Sequence, residues 1–422
     1  MFKFIHAADI HLDSPLRGLQ RYEGAPVDEI RQASRRALEN LVQLAIDQSV
    51  AFVLIAGDLY DGDWKDHRTG LYFVSQMVRL REAGIAAIAI AGNHDAANKM
   101  TRTLPIPENV HILDHKQPET LRLEQWGVAI HGQSFATGAV LDDLSAAYPP
   151  AVAGMLNIGL LHTCATGREG HQPYAPCTIT GLISKRYDYW ALGHAHGQEV
   201  LNREPEIIFS GNIQGRHIHE HGPKGCMLVH VDAQQRLRPE LQTLDVFRWQ
   251  TCWVDASGAA TKEEVLDRFR LQLTRLMAKS DGLSLAVRVE TSGPSNAHQE
   301  ISGQPEQWVA DIRSTALDLS GGRVWVEKVR TATALPVNLN EALLSDGPVG
   351  ELARLIEELR GDPEAVLRLL ANDLGELRKK LPLELTEGSE AIDLAKPDRT
   401  GELLDQVRQM LVGQMVSREG VK

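Results

Sequence analysis

The stretch Phe52–Asp61, FVLIAGDLYD, sets a pattern that the first half of the chain repeats. Its apolar residues Phe52 to Ala56 are typical of a buried parallel strand, because such strands are covered on both faces. The run ends at Gly57-Asp58, so a carboxylate follows the carboxyl end of the strand. Open α/β sheets bind their ligands at that edge. We therefore expect Asp58 to lie at a functional edge of a sheet.

Four further apolar runs end in polar residues in the same way. Each ending alone has an ordinary explanation, such as a helix cap or a polar turn. The recurrence favours a common purpose, with five strands bringing Asp, His and Asn side chains to one edge. The additional endings are Asp9-Ile10-His11 after Lys3 to Ala8, Gly92-Asn93-His94-Asp95 after Ala86 to Ala91, His162 after Leu156 to Leu161, and Gly193-His194-Ala195-His196 after Tyr189 to Leu192.

These residue types predict a site for two divalent cations. Asp, Asn and His without cysteine suit a hard or borderline ion, and seven or eight ligands are too many for one ion. Two ions that share a carboxylate are the simplest interpretation. Asp58 is the expected bridge, because its carboxylate can offer one oxygen to each ion. Mixed oxygen and nitrogen ligands favour manganese, with iron and zinc as alternatives.

Composition describes an ordinary globular protein with several domains. At 422 residues, with 43% hydrophobic and 24% charged residues, the chain is too long for one core. Four cysteines without CxxC spacing fit free thiols and a reducing cytoplasm. We expect a cytoplasmic protein without membrane association, because a strand begins near Met1 and no apolar run approaches about 20 residues. The net charge of −12 would weaken binding to nucleic acid.

Taken in order, the five strand endings resemble the signature of the calcineurin-like metallophosphoesterase superfamily. The opening FIHAADIHLDSPL and the later SGNIQGRHIHEHGPKG resemble the bacterial DNA repair exonuclease branch, which contains the SbcD nuclease subunit and its YhaO relatives. The resemblance implies an α/β fold, a four-layer αββα sandwich. Short β runs from Val110 to Thr243 also predict a second, mixed sheet packed on the first.

The pattern of the chain predicts three domains. Residues 1–243 would form the metallophosphoesterase (nuclease) domain, and residues 244–335 a small α/β domain of β-α-β-α-β order. The resemblance implies that this second domain caps the site and orients DNA. Residues 336–422 are helical in pattern, with apolar faces that would either pack on the protein itself or dock a partner's coiled coil. In the family that partner is an SMC-like ATPase, and a homodimer is left open.

Carried over position by position, the family pattern divides the ligands between two metals. The implied chemistry is phosphodiester hydrolysis, in which the ions bind phosphate oxygens and lower the pKa of a bridging water for in-line attack. The resemblance places Asp9, His11, Asp58 and His196 at one metal, and Asp58, Asn93, His162 and His194 at the other.

His94 is expected to act on the leaving oxygen, as general acid or transition-state donor, rather than as a further ligand. Its neighbour Asp95 is expected to fix the imidazole tautomer and raise its basicity. Archaeal and eukaryotic repair nucleases have a second histidine three residues after the bridging Asp, where this chain has Asp61. The SbcD branch also tolerates Asp there, but an acidic side chain stabilises phosphate differently, which leaves exonuclease strength open.

A basic loop follows Ser210-Gly211-Asn212 and is the candidate for DNA phosphate contacts, although a solvated loop is the alternative. Three functions follow for the whole chain. The first is a manganese-dependent DNA exonuclease or endonuclease in DNA repair, working with the ATPase. The others are a phosphatase or phosphodiesterase for a small substrate, and a scaffold that holds DNA ends. The residues expected to contact DNA are Arg216, His217 and Lys224.

Overall fold

The computed structural model divides the chain into two compact units. One comprises Met1–Gln250 with Leu283–Ala286, and the other Thr251–Gly282 with Val287–Lys422. The predicted boundaries after residues 243 and 335 stay predictions. Most of the predicted tail helices over residues 363–380 and 402–416 lies outside the described residues. Those residues are 1–14, 24, 26–61, 67–96, 106–165, 174–336, 347–362, 364, 366–368, 370, 375, 404, 407–408 and 411.

The first unit contains two six-stranded sheets in its described residues. Their strands are β1 (Phe2–Ala7), β2 (Phe52–Ala56), β3 (Ala86–Ile90), β4 (Val110–Ile112), β5 (Glu119–Leu123), β6 (Val128–Gly132), β7 (Leu156–His162), β8 (Tyr189–Gly193), β9 (Glu199–Arg203), β10 (Glu206–Phe209), β11 (Gly225–Val231) and β12 (Leu237–Thr243).

The first sheet has the order β12-β11-β1-β2-β3-β4. Strands β1 to β4 pair in parallel, so the residues that follow β1, β2 and β3 meet at one edge. Strand β11 pairs with β1 in the antiparallel direction and brings the chain back beside it. The prediction that Asp9, Asp58 and Asn93 follow neighbouring strands is confirmed.

The second sheet has the order β5-β6-β7-β8-β10-β9, and β6, β7, β8 and β10 are parallel. It packs on the first sheet through a core of fully buried side chains that includes Phe4, Phe52, Ile158 and Tyr189. Strands β7 and β8, which carry the histidines, therefore belong to a different sheet from β1, β2 and β3. The carboxyl ends of both sheets supply one edge.

Helices form the two outer layers. Helix α1 (Val27–Asp47) buries an apolar stripe that includes Ala37 and Leu41, and Asp28 and Glu29 lie in its first turn, where the helix dipole favours acidic residues. It packs with α2 (His67–Glu82) on the first sheet. On the second sheet, the short helix α4 (Ile179–Ser184) covers Trp190 and its neighbours. The four-layer αββα sandwich is thus confirmed. Helix α3 (Asn93–Ala96) is one turn after β3.

The described part of the second unit contains a three-stranded sheet and four helices. The elements are β13 (Phe247–Asp255), α5 (Lys262–Ala278), β14 (Ser284–Pro294), α6 (His298–Gly303), α7 (Pro305–Ser320), β15 (Val324–Ala334) and α8 (Pro348–Arg360), and the strands lie in the order β13-β14-β15. Thr261 caps helix α5 by accepting a hydrogen bond from the Glu264 backbone N–H at 3.3 Å. Strand β13 begins in the first unit.

Helix α8 meets other described residues of the tail. Ile356 packs with Val366 and Leu404 in a small buried cluster. Leu355, on the same helix, remains exposed. At least part of the predicted apolar face is therefore used inside the chain. Among the described residues, no helix combines the length and the apolar character that crossing a membrane requires. All four cysteines are buried free thiols, as their spacing predicts.

Candidate metal centre

The loops after β1 and β2 are joined by backbone hydrogen bonds. The Asp9 N–H donates to the Gly57 carbonyl at 3.0 Å, and the His11 N–H donates to the Asp58 carbonyl at 3.0 Å. These bonds continue the parallel pairing of the strands into the loops. They fix the spacing of three predicted metal ligands through the main chain, without relying on the side chains.

Strained backbone is concentrated at this edge. Four predicted ligands lie in the left-handed region of φ, which side chains other than glycine rarely adopt. Gly57, with φ 91°, also approaches His162 so closely that a Cβ there would lie 2.4 Å from its Nδ1 atom. The surrounding structure stabilises this strained backbone, and the backbone conformation sets the direction in which each side chain points. The four ligands are Asp9 (φ 50°), His11 (φ 45°), Asp58 (φ 53°) and His194 (φ 101°).

One group of donors consists of Asp9, His11 and His196, whose ligand atoms lie within 4.8 Å of one another. The Nε2 atoms of His11 and His196 face each other at 3.2 Å. Both Asp9 oxygens accept from the His194 backbone N–H, at 3.1 and 3.0 Å, which orients the carboxylate. Two facing imidazole nitrogens need a proton or a cation between them, because two lone pairs repel.

A second group consists of Asp58, His162 and His194, again within 4.8 Å. His162 Nδ1 lies 2.9 Å from the Ala56 carbonyl. A carbonyl only accepts, so Nδ1 carries the proton and the Nε2 lone pair points into the site. That Nε2 lies 3.0 Å from Asn93 Oδ1 and 3.5 Å from Asp58 Oδ2. Three acceptors thus converge on one point, as in a cation site.

Asp58 belongs to the second group and also approaches the first. Its Oδ2 atom is 3.5 Å from His162 Nε2 and 3.9 Å from His11 Nε2. Its Oδ1 atom accepts from the His94 backbone N–H at 3.0 Å. A carboxylate in this position can contribute to both donor groups, as the sequence predicts for the bridging ligand.

Burial disfavours the charged forms of these side chains. It raises the pKa of Asp58 to about 6 and raises the pKa of Asp9, while it lowers the pKa of His11 and of His162. Neutral imidazoles are the form that binds a metal, and bound cations would favour ionised carboxylates. The donor set, its facing lone pairs and these shifts fit two divalent ions. His and Asp side chains at this edge can therefore hold metal.

His94 is paired with Asp61, and these two side chains form a third group of possible metal donors together with His11. His94 Nδ1 lies 2.9 Å from Asp61 Oδ1, and the His94 side chain is 40% exposed. The hydrogen bond to Asp61 raises the pKa of His94. Burial alone would raise the pKa of Asp61, but hydrogen bonds from His94 and Ser14 hold it at about 2. The His94 imidazole is thus paired with an ionised carboxylate.

The structure corrects the role predicted for Asp95. Its carboxylate accepts from the backbone N–H groups of Leu59, Tyr60 and Gly92 at 3.1, 2.9 and 3.0 Å. The one-turn helix α3 aims Asp95 back into the loop after β2, where it is buried. Asp61, not Asp95, therefore orients His94. The sequence shows Asp61 only as a departure from related nucleases, and it does not predict the contact between Asp61 and His94.

The predicted basic loop is not an open phosphate-binding surface. The Lys224 side chain is buried, and its Nζ donates to the His196 carbonyl at 2.7 Å, which corrects its predicted role as a DNA contact. Arg216 Nη2 donates to Glu220 Oε1 at 2.7 Å, and its Nη1 lies 3.5 Å from Asp61 Oδ2. The His217 side chain is 54% exposed. Contacts of Arg216 and His217 with DNA stay predictions.

Two family models match separate parts of the chain. The model of the calcineurin-like phosphoesterase family matches residues 2–198. This range contains every predicted metal ligand. The model of the middle domain of metallophosphoesterase YhaO matches residues 249–334. That range runs from within β13 to the end of β15.

Curated relatives align along most of the chain. An uncharacterised metallophosphoesterase, YhaO of Bacillus subtilis, is 30% identical over 370 residues, which cover 85% of this chain and 90% of the relative. The DNA double-strand break repair protein Mre11 of Methanopyrus kandleri is 26% identical over 395 residues, covering 85% and 82%. A solved dimetal phosphatase from Danio rerio has a TM-score of 0.36 at 10% identity, and covers 58% of this chain and 96% of its own.

Proposed function

Because the chain belongs to the calcineurin-like phosphoesterase family, whose members hydrolyse phosphoesters, we propose that it cleaves phosphodiester bonds of DNA. The activity would be that of an exonuclease or endonuclease in DNA repair. Relatives named as DNA double-strand break repair proteins support this substrate, with 26% identity over 395 residues for one of them. The observation that carries the proposal is that Asp58 belongs to one group of donors and also approaches the other.

The ligands proposed for two Mn²⁺ ions are those that the family pattern predicts. When bound, the ions supply charge that stabilises the phosphoryl group and lowers the pKa of a water. Buried carboxylates and neutral imidazoles are suited to hold them, and no cysteine is among the proposed ligands. One ion would be held by Asp9, His11, Asp58 and His196, and the other by Asp58, Asn93, His162 and His194.

His94 is the proposed proton donor to the leaving oxygen. Its Nδ1 proton is engaged by Asp61, which leaves Nε2 to carry the proton that is transferred. The hydrogen bond to Asp61 raises the pKa of His94, which favours the protonated ring. Partial exposure of the ring allows it to reach a substrate at the edge.

A DNA nuclease with this charge needs help with binding. The net charge of −12 opposes binding to the DNA backbone, and Lys224 is engaged by the His196 carbonyl. We therefore include an SMC-like ATPase in the proposal, with residues 336–422 as its docking region and residues 244–335 as the domain that orients DNA. A homodimer would be a second way to enlarge the binding surface.

The same charge favours one alternative, hydrolysis of a small phosphodiester or phosphomonoester. A small substrate is bound by the centre itself and needs no extended basic surface. Under this alternative, the second unit and the tail would have no part in substrate binding. The two functions share the metal centre and differ in what surrounds it.

The test compares substrates on one preparation. Purified protein with Mn²⁺ is incubated with labelled duplex DNA, labelled single-stranded DNA and bis-p-nitrophenyl phosphate, beside an Asp58→Ala control. We expect manganese-dependent shortening or nicking of DNA that the control lacks. Cleavage of the small diester without DNA degradation, even with a copurified ATPase present, would favour the small-substrate alternative. Absence of any hydrolysis would exclude both enzymatic functions.

A further inference from the structure

A buried carboxylate, Glu220, lies behind His196 on the side away from the donor groups. It is 4% exposed and sits in a short turn after β10. Its Oε1 lies 2.7 Å from His196 Nδ1 and accepts from Arg216 Nη2 at 2.7 Å. Its Oε2 accepts from the Arg216 backbone N–H at 2.7 Å and from Asn212 Nδ2 at 2.9 Å. Every one of these partners is a donor.

We propose that Glu220 is a positioning residue for the metal centre, which fixes the tautomer and ring direction of His196, and that Arg216 holds Glu220 in place. The inference rests on the proposed function, because His196 is a proposed metal ligand. It concerns Glu220, a residue outside the ligand set that the sequence predicts.

The hydrogen bond decides which nitrogen of His196 can bind metal. An ionised carboxylate only accepts hydrogen bonds. His196 Nδ1 must therefore carry the proton and donate a hydrogen bond to Glu220 Oε1. The lone pair then belongs to Nε2, the atom that faces His11 Nε2 at 3.2 Å. Arg216 Nη2 also lies 3.2 Å from His196 Nδ1, but two donors do not bond, so its partner is Glu220.

Arg216 connects Glu220 with Asp61, the carboxylate that is hydrogen-bonded to His94. Its guanidinium lies between Glu220 and Asp61, with Nη1 at 3.5 Å from Asp61 Oδ2. Glu220 thus orients His196 in the way that Asp61 orients His94, and the Arg216 guanidinium stabilises both carboxylates. The arrangement explains why Arg216 is nearly buried instead of extended into solvent, as a loop arginine for DNA would be.

The main chain of the loop is fixed from the same side. Lys224 Nζ donates to the His196 carbonyl at 2.7 Å, and the Asn212 N–H donates to it at 3.3 Å. His196 is therefore held at its ring by Glu220 and at its backbone by two donors. Such outer contacts typically change metal affinity by about 10- to 100-fold when one is removed.

The experiment measures metal binding by the full chain. Mn²⁺ is titrated by calorimetry into metal-free wild type, Glu220→Gln and Glu220→Asp, and each of the two substitutions is also placed in a His196→Ala background. Glutamine keeps the shape but removes the charge, whereas aspartate keeps the charge but withdraws it from His196. Glu327→Gln is the matched control, because Glu327 is a buried carboxylate 2.9 and 2.8 Å from Arg288 in the second unit.

We expect both Glu220 variants to bind Mn²⁺ about 10- to 100-fold more weakly at one of two sites, with the other site unchanged. In the His196→Ala background, neither substitution should add a further loss, and Glu327→Gln should bind like wild type. Unchanged affinities in both Glu220 variants would overturn the inference, as would a loss that persists without His196. If Glu220→Gln does not fold, Glu220→Asp decides.

The control on wild type separates this inference from the proposed function. Wild type that binds two Mn²⁺ and hydrolyses a phosphodiester, with unaffected Glu220 variants, would overturn the role of Glu220 alone. Wild type that binds no pair of ions would overturn the proposed metal centre, and the inference with it.

Discussion

Asp61 Oδ1 lies 2.9 Å from His94 Nδ1, so the histidine that faces outward at the metal edge has a carboxylate partner from a different loop. Asp61, the residue at which this chain departs from the related repair nucleases, thus orients the His94 imidazole. Asp61 is itself held by Ser14 and faces Arg216. The departure therefore adds a partner to the proposed proton donor.

Asp61→Asn should reduce turnover without changing metal content. Asparagine can still accept a hydrogen bond from His94, but it removes the negative charge that stabilises the imidazolium. We expect the rate of bis-p-nitrophenyl phosphate hydrolysis to fall about 10- to 100-fold, less than the roughly 100- to 10,000-fold that general acid catalysis contributes as a whole, because the His94 ring remains. Elemental analysis should still find two ions per chain. Asp142→Asn, at an exposed site, is the control and should keep the wild-type rate.

His94→Ala should reduce the same rate by about 100-fold or more, because it removes the proposed donor entirely. Two metal ions per chain should remain, because His94 Nδ1 is engaged by Asp61 and His94 is not among the ligands proposed for either ion. Metal content measured by elemental analysis decides the assignment. A variant that loses an ion would identify His94 as a ligand.

Asp58→Ala should remove both ions together. The Asp58 carboxylate lies near His11 and His162, which belong to different donor groups. Loss of one shared ligand therefore weakens both sites at once. Metal analysis after gel filtration should find fewer than one ion per chain. Retention of both ions would exclude Asp58 as the bridge, whereas retention of one would assign it to a single site.

The clustering of the predicted ligands at one edge of the sheets can be predicted from the sequence, because these residues follow the ends of strands. Asp9, Asp58 and Asn93 each follow an apolar run, and parallel strands in β-α-β order place such residues side by side. His162 and His194 follow the same rule, although their strands lie in the second sheet. What brings them to one edge is the packing of the two sheets, which the short β runs also indicate.

The carboxylate partners of His94 and His196 cannot be recognised from the sequence in this way. Asp61 and Asp95 both follow a strand within a few residues, and the choice between them as partner of His94 depends on loop dihedrals. Positive φ at Asp58 and the single turn of α3 decide it. Glu220 lies in a polar turn 24 residues from His196, so no period or spacing connects the two. Tertiary structure alone creates that contact.

Asp95→Ala should lower stability, which tests its corrected role. The substitution leaves the backbone N–H groups of Leu59, Tyr60 and Gly92 without their acceptor in a buried place. We expect the free energy of unfolding to fall by about 2–4 kcal/mol, because each unsatisfied buried donor costs about 1–3 kcal/mol and water recovers part of it. Urea unfolding with a chelator present measures this without a contribution from metal.

The control for Asp95 is Asp232→Ala. Asp232 also accepts from backbone N–H groups, those of Gln234 and Arg236, but in an exposed turn. Water can replace its bonds, so the loss should stay below about 1 kcal/mol. Equal losses in the two variants would contradict a special structural role for Asp95.

His6 should make stability depend on pH. It is fully buried, with Nε2 at 3.1 Å from the Leu192 carbonyl and Nδ1 at 3.0 Å from the Tyr189 hydroxyl. Burial lowers the pKa of His6 to about 3, despite the hydrogen bond to Leu192. The pKa of His6 in the folded protein lies below the ordinary value of about 6.5. Between these two pH values, His6 binds a proton in the unfolded chain but not in the folded protein. Its contribution is complete above about pH 6.5 and is lost as pH falls towards about 3.

The variant His6→Asn isolates this contribution. It should be less stable than wild type at pH 7, because the core contacts with Tyr189 and Leu192 are altered. Between pH 6 and pH 4, the wild-type free energy of unfolding should fall more steeply than that of the variant, by about 1.4 kcal/mol per pH unit. Urea unfolding of both proteins at several pH values gives the two slopes. Parallel curves would mean that His6 accepts its proton in the folded protein, contrary to a pKa of about 3.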